Sequence, residues 1–209
     1  GRDRVEEQDP QSWSVPPLLK GPGWSNYALK ENQGHSGKGP STEMADVPDE
    51  GYSDGKLAAL AVETLQNLAE RKEPFFLAVG FIRPHLPFIA PKRYWDLYDD
   101  NEIELPSNYH PPKDCPPAAL HNWGELRAYL GIPAEGPLSE EMSRAMVHGY
   151  YAATSYTDAQ VGLLLSTELI KPKLDFLDPT TAAVGEEVSI YGSSFGSGRG
   201  SSYVSFGTV

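Results

Sequence analysis

The stretch Pro74-Phe75-Phe76-Leu77-Ala78-Val79-Gly80-Phe81-Ile82-Arg83-Pro84-His85-Leu86-Pro87-Phe88 decides the fold class. From Phe75 to Phe81 it is apolar without alternation, the pattern of a strand buried on both faces. Just upstream, Leu57, Leu60, Ala61, Leu65 and Leu68 recur at helical spacing, with Ser53 or Asp54 as N-cap and Glu73-Pro74 as a stop. This spacing predicts a helix over 54–71. A helix feeding a doubly buried strand indicates an α/β fold with parallel strands.

Beyond the strand, Arg83-Pro84-His85-Leu86-Pro87 is the chemical centre of the chain. In open α/β sheets, ligands bind past the carboxyl ends of the strands, and His85 falls there. Each flanking proline fixes its own φ and biases the residue before it toward extended geometry. An imidazole on such a stiff support is suited to hydrogen-bonding an anionic oxygen or protonating a leaving oxygen. Taken alone, the composition of the loop favours a structural or merely exposed histidine.

Further along, a short helix is expected with Pro91 near its first turn and Tyr94, Trp95, Leu97 and Tyr98 to bury. Residues 101–138 read as Pro-rich loop holding Cys115, His121 and Trp123. Ser139 then caps a long helix over 139–167, with Met142, Met146, Tyr150, Ala153, Thr157, Val161 and Leu164 on one stripe. Glu140 and Glu141 lie in its first turn, where acids suit the helix dipole. Residues 1–50 are broken by Pro and Gly but hold Trp13, Trp24 and Tyr27, which suits an ordered surface loop.

The 209 residues carry 29 acidic and 17 basic side chains, a formal charge of −12. That balance argues against a nucleic-acid partner, which needs a basic face. Cys115 is the one cysteine, so neither a disulfide framework nor a Cys-based zinc site is expected, and no other metal site is evident. No apolar run approaches the ~20 residues of a membrane span, and the first residues show no apolar signal-peptide core.

Residues 74–88 resemble the strand and loop of the iduronate-sulfatase-like sulfatases. The likeness extends to Asp46-Val47-Pro48-Asp49, to Pro91-Lys92-Arg93-Tyr94 with Leu97-Tyr98, and to His121-Asn122-Trp123-Gly124-Glu125-Leu126-Arg127. It continues through Gly149-Tyr150-Tyr151-Ala152-Ala153-Thr154-Ser155-Tyr156 and Asp158-Ala159-Gln160-Val161-Gly162, in order and at family spacing. The resemblance covers 1–168 and implies part of an alkaline-phosphatase-like sulfatase sheet with helices. It implies a sulfuric ester hydrolase acting on the sulfate ester of a sugar or polysaccharide.

In that family the nucleophile is a formylglycine made from Cys in Cys-x-Pro-Ser-Arg, and calcium sits among acidic residues. Within this sequence the resemblance transfers one catalytic residue, His85. Arg83, His121 and Trp123 are candidate substrate-binding residues, Arg83 by charge and the other two by lining the entrance. Cys115-Pro116-Pro117 has the proline of the nucleophile motif without its Ser and Arg, so Cys115 is expected to be a small buried or half-exposed thiol and not a formylglycine precursor. Calcium is expected for the full-length family, but its ligands are not matched here, so the chain alone is expected to be inactive.

From Leu174 onward the pattern becomes short alternating strands between Gly/Ser turns, as in a β-sandwich. Residues 173–209 resemble the start of an IPT/TIG domain, through Leu177-Asp178-Pro179-Thr180 and Val184-Gly185-Glu186-Glu187-Val188-Ser189-Ile190-Tyr191-Gly192. The resemblance implies a partial immunoglobulin-like sandwich and a secreted, periplasmic or cell-surface setting. The alternative it leaves open is a non-catalytic secreted glycan-binding or adhesion module.

Overall fold

The computed structural model describes residues 10–15, 26–35, 38–71, 73–108, 110–167, 173–178 and 189–193. Its strands and α-helices run β1 (Lys38–Pro40), β2 (Thr42–Ala45), α1 (Ser53–Glu70), β3 (Phe88–Pro91) and α2 (Lys92–Trp95). There follow α3 (Gly124–Arg127), β4 (Tyr129–Leu130), α4 (Glu140–Ser166), β5 (Lys173–Asp178) and β6 (Ser189–Ser193). Single 3-10 turns connect several of them.

The helix expected over 54–71 is α1. Its start differs from the expectation: Tyr52 is the N-cap position, and no side chain caps it. Asp54 is buried, and its carboxylate is turned to another task, described below. Ser139 does cap α4, accepting from the Met142 N–H at 3.1 Å, and Glu140 and Glu141 occupy the first turn.

The parallel pairing is present, but one segment later than the sequence suggests. β2 and β3 pair in parallel, Thr42 opposite Phe88 and Ala45 opposite Pro91, with α1 in the crossover between them. β1 pairs in parallel with β4. The Phe75–Phe81 run, expected to be a strand buried on both faces, forms no strand and pairs with none of the described residues. Phe76 is 80% exposed. A strand exists only where a neighbour supplies the ladder, and β1 and β2 are committed elsewhere.

The core lies where β2, β3, α2 and α4 meet, around Tyr27, Ala45, Tyr52, Ile89, Ala90, Trp95 and Tyr156. Trp95 and Tyr94 are buried as expected, whereas Leu97 is exposed. The buried residues of α4 are Ser143, His148, Gly149, Ala152, Ala153, Tyr156 and Gln160; their centre lies about 70° from the expected stripe, of which Ala153 is buried as expected. Tyr150 and Val161 of that stripe are exposed. The rotation follows from polar pairing: the Tyr156 hydroxyl accepts from the Gly55 N–H at 2.6 Å and donates to the Asp49 carbonyl at 2.9 Å. Gln160 Nε2 donates to Asp49 Oδ2 at 2.8 Å. A buried polar group with its partners outranks an apolar one without neighbours.

Close approach explains two glycines. A Cβ on Gly55 would lie 2.1 Å from the Asp49 carbonyl oxygen, and one on Gly149 would lie 2.9 Å from the Trp95 ring. These contacts let α1 and α4 press against the Asp49 turn and β3.

β5 and β6 pair antiparallel, Lys173 opposite Ser193 and Asp178 opposite Ser189. The junction at 168–172, the Gly/Ser stretch and the strand expected at 203–206 lie outside the described residues. No helix among the described residues is long and apolar enough to cross a membrane.

Candidate functional site

The loop carrying His85 is anchored at its root by α1. Asp54 Oδ2 accepts the Arg83 N–H at 2.8 Å, and the Ile82 N–H lies 3.1 and 3.2 Å from the two carboxylate oxygens. A buried carboxylate beside two donated N–H groups makes strong, charge-assisted bonds. The His85 N–H closes a turn onto the Ile82 carbonyl at 3.0 Å, and the Phe88 N–H donates to the Ser41 carbonyl at 2.8 Å as β3 begins. The loop is therefore tied down on both sides of His85. The Arg83–Pro84 and Leu86–Pro87 bonds are cis.

Arg83 lies beneath this loop, 5% exposed. Its Nη1 donates to the His85 carbonyl at 3.2 Å, and its own carbonyl accepts from the Thr157 hydroxyl of α4 at 3.2 Å. Burial pushes its guanidinium below the ordinary value, and the Asp54 carboxylate opposes that shift. The group keeps its charge. Arg83 thus joins the loop to α4 and places a cation under His85.

His85 itself is half-exposed. Its Nδ1 lies 2.6 Å from the Leu86 carbonyl oxygen, and its Nε2 faces Glu125 Oε2 at 3.7 Å. The other oxygen of Glu125 accepts from Lys38 Nζ at 3.1 Å, and that ammonium also lies 4.5 Å from the centre of the Tyr129 ring. Tyr129 and Tyr27 are buried close by. Burial, aided by Glu43, pushes the Tyr27 phenol up to about 12, so it stays protonated at neutral pH.

His121 and Trp123 form a second group. The Trp123 N–H donates to His121 Nδ1 at 2.8 Å, and the two rings meet edge-on at 5.5 Å. Trp123 is the N-cap of α3 in a left-handed conformation, φ 55°, and is 67% exposed. Such a backbone is costly for a bulky residue. The segment is held by Arg127, whose guanidinium donates to the carbonyls of Asn122, Pro133 and Gly136. The link from His85 to this segment runs through Glu125, two residues past Trp123. Cys115 is partly exposed, with Sγ 3.7 Å from the Pro116 carbonyl oxygen.

The sequence reading missed Asp54, Lys38 and Glu125. Asp54 stands where a cap is expected, so local spacing disguised its long-range role. Lys38 and Glu125 are 87 positions apart and carried no signal of their own.

A calcium ion takes about six to eight oxygen ligands. Among the described residues no group of three or more His, Cys, Asp or Glu is placed to hold a metal. Asp49 has a buried Oδ1 without a hydrogen-bond partner, yet its other oxygen already accepts from Arg93, Tyr94 and Gln160. Those donors would repel a cation, so the described residues do not fit calcium.

The sulfatase family model matches residues 5–167. Iduronate 2-sulfatase of Mus musculus is 34% identical over 169 residues, 75% of this chain and 30% of the relative. Iduronate 2-sulfatase of Homo sapiens is 31% identical over 176 residues, 77% of this chain and 31% of the relative. Choline-sulfatase of Rhizobium meliloti (strain 1021) is 30% identical over 130 residues, 59% of this chain and 24% of the relative. The chain spans less than a third of the length of these curated relatives.

Proposed function

This chain belongs to the sulfatase family, and on that premise we propose that residues 1–168 are the part of a sulfuric ester hydrolase that presents His85 to a sulfate ester. The observation that carries the reading is His85 itself: a half-exposed imidazole on a loop tied at its root to buried Asp54 and Arg83. Its substrate would be the sulfate ester of a sugar or polysaccharide. His85 would contact a sulfate oxygen or the leaving oxygen, with Arg83 supplying positive charge from below. His121 and Trp123 would flank the entrance, the exposed indole giving a sugar a face to stack on.

The sequence contains no Cys-x-Pro-Ser-Arg, so this chain alone has no formylglycine nucleophile and would not turn over. The calcium of the family would likewise need ligands beyond those described. Titrating the full chain with inorganic sulfate tests the reading: the ring resonances of His85 should move, and His85→Ala should weaken sulfate binding by about tenfold or more. Equal binding by the two proteins would refute it. Turnover of an aryl sulfate by the purified chain, lost in His85→Ala, would overturn the expectation of inactivity.

The 67% exposure of Trp123 favours a second reading, a non-catalytic glycan-binding or adhesion module. Residues 173–209 would then be the start of an IPT/TIG domain in a secreted, periplasmic or cell-surface protein. The antiparallel β5–β6 pair is compatible with such a sandwich. Binding on a glycan array that survives His85→Ala and is lost in Trp123→Ala would favour this reading.

A further inference from the structure

Arg83 is the cation of the proline loop, yet at 5% exposure it leaves little surface for a ligand to touch. We propose that Arg83 is a positioning residue for His85, acting through the main chain of the loop and not by contact with the substrate. The inference rests on the reading of His85 as the sulfate-facing histidine and deepens it.

An ordinary surface arginine lays its stem along the protein and keeps its charged head in water. Arg83 does the reverse. The buried side chains of Tyr27, Tyr129, Tyr156 and Asp54 interact electrostatically with its guanidinium. From there Nη1 donates to the His85 carbonyl at 3.2 Å. The side chain of residue 83 thus reaches past Pro84 and fastens main chain two positions further on.

The direction of a side chain follows from the two peptide groups that flank its Cα. At His85 both are held: the N–H donates to the Ile82 carbonyl at 3.0 Å, and the carbonyl accepts from Arg83. Pro84, between them, has its φ fixed by its ring. Arg83 is anchored in turn by its own main chain. Its N–H donates to Asp54 Oδ2 of α1 at 2.8 Å. Its carbonyl lies 3.2 Å from the Thr157 hydroxyl of α4, whose hydrogen is shared with the Ala153 carbonyl at 3.1 Å. Contacts therefore run from two helices through Arg83 to the backbone of His85. A guanidinium suits this place, because its planar fork can serve a carbonyl and still keep its charge beside Asp54. An ammonium keeps the charge as a compact point and lacks the fork.

Arg83→Lys separates position from charge. In the full chain without sulfate, the His85 N–H should exchange about tenfold faster in this variant than in the wild type. The Ala153 and Tyr156 amides of α4 should be unchanged, which checks that the fold is intact. Affinity for inorganic sulfate should fall about threefold or more although the cation is retained. Wild-type exchange at His85 together with wild-type sulfate affinity would overturn the proposal, since charge alone would then suffice. If Arg83→Lys loses protection in α4 as well, the wild type decides by the nitrogen resonances of its Arg83 guanidinium. Separate, slowly exchanging signals are expected of a held donor, and the averaged, rapidly exchanging signals of a free side chain would overturn the proposal. Sulfate that leaves wild-type His85 unmoved would refute the sulfate-facing reading, while exchange at His85 would still decide the positioning role.

Discussion

Residues 75–81 and 88–91 lie on either side of one loop and are similarly apolar, yet the first is largely exposed and the second largely buried. The difference is a partner. Phe88–Pro91 pairs with Thr42–Ala45 in parallel register and lies against α4. Phe75–Phe81 is extended, with no paired strand among the described residues. Apolar composition states what a segment would bury; the ladder and the neighbouring helix decide whether it does. His85 lies between the two, and its loop takes its order from the partnered side and from Asp54.

The comparison breaks most violently at Gly55, which belongs to the packed side. Gly55→Val should cost about 4 kcal/mol or abolish folding, because its Cβ would overlap the Asp49 carbonyl. Chemical denaturation monitored by tryptophan fluorescence measures it. A loss below about 1 kcal/mol would mean that α1 does not press on the Asp49 turn.

Asp54→Ala addresses the link between the two regions. It strips the acceptor from the Ile82 and Arg83 N–H groups and should cost about 2–3 kcal/mol. Arg83, left buried without that carboxylate, adds to the penalty. Asp54→Asn keeps one oxygen acceptor and should cost about half as much. A variant as stable as the wild type would show that the loop is held by its prolines alone.

Phe76→Ser, on the unpaired side, sharpens the contrast through a near-null result. Its stability change should stay within about 0.5 kcal/mol, because the ring is 80% exposed and its recorded ring contact is with Trp13 at 6.0 Å. It should also reduce concentration-dependent association, since an exposed apolar extended segment is a template for strand addition. Light scattering at increasing concentration reads the second effect.

Much of this was legible in the sequence. The two long helices and the Ser139 cap follow from periodicity and Ser/Pro signals, which act locally, whereas the parallel pairing lies at β2 and β3 and not at the 75–81 run from which the α/β class is read. The register of α4 was not legible, because Tyr156 and Gln160 are drawn inward by Asp49, more than 100 positions away. The same holds for the site. Proline spacing singled out His85, whereas Asp54, Lys38 and Glu125 reach it only through contacts made by the fold.

Amide hydrogen exchange along residues 75–83 tests the account most directly. The Ile82 and Arg83 N–H groups, bonded to Asp54, should exchange slowly and lose their protection in Asp54→Ala, while Phe76–Val79 exchange close to the unprotected rate. Uniform protection across 75–83, or rapid exchange at Ile82 and Arg83 in the wild type, would contradict the view that the His85 loop is ordered from Asp54 and not from the strand before it.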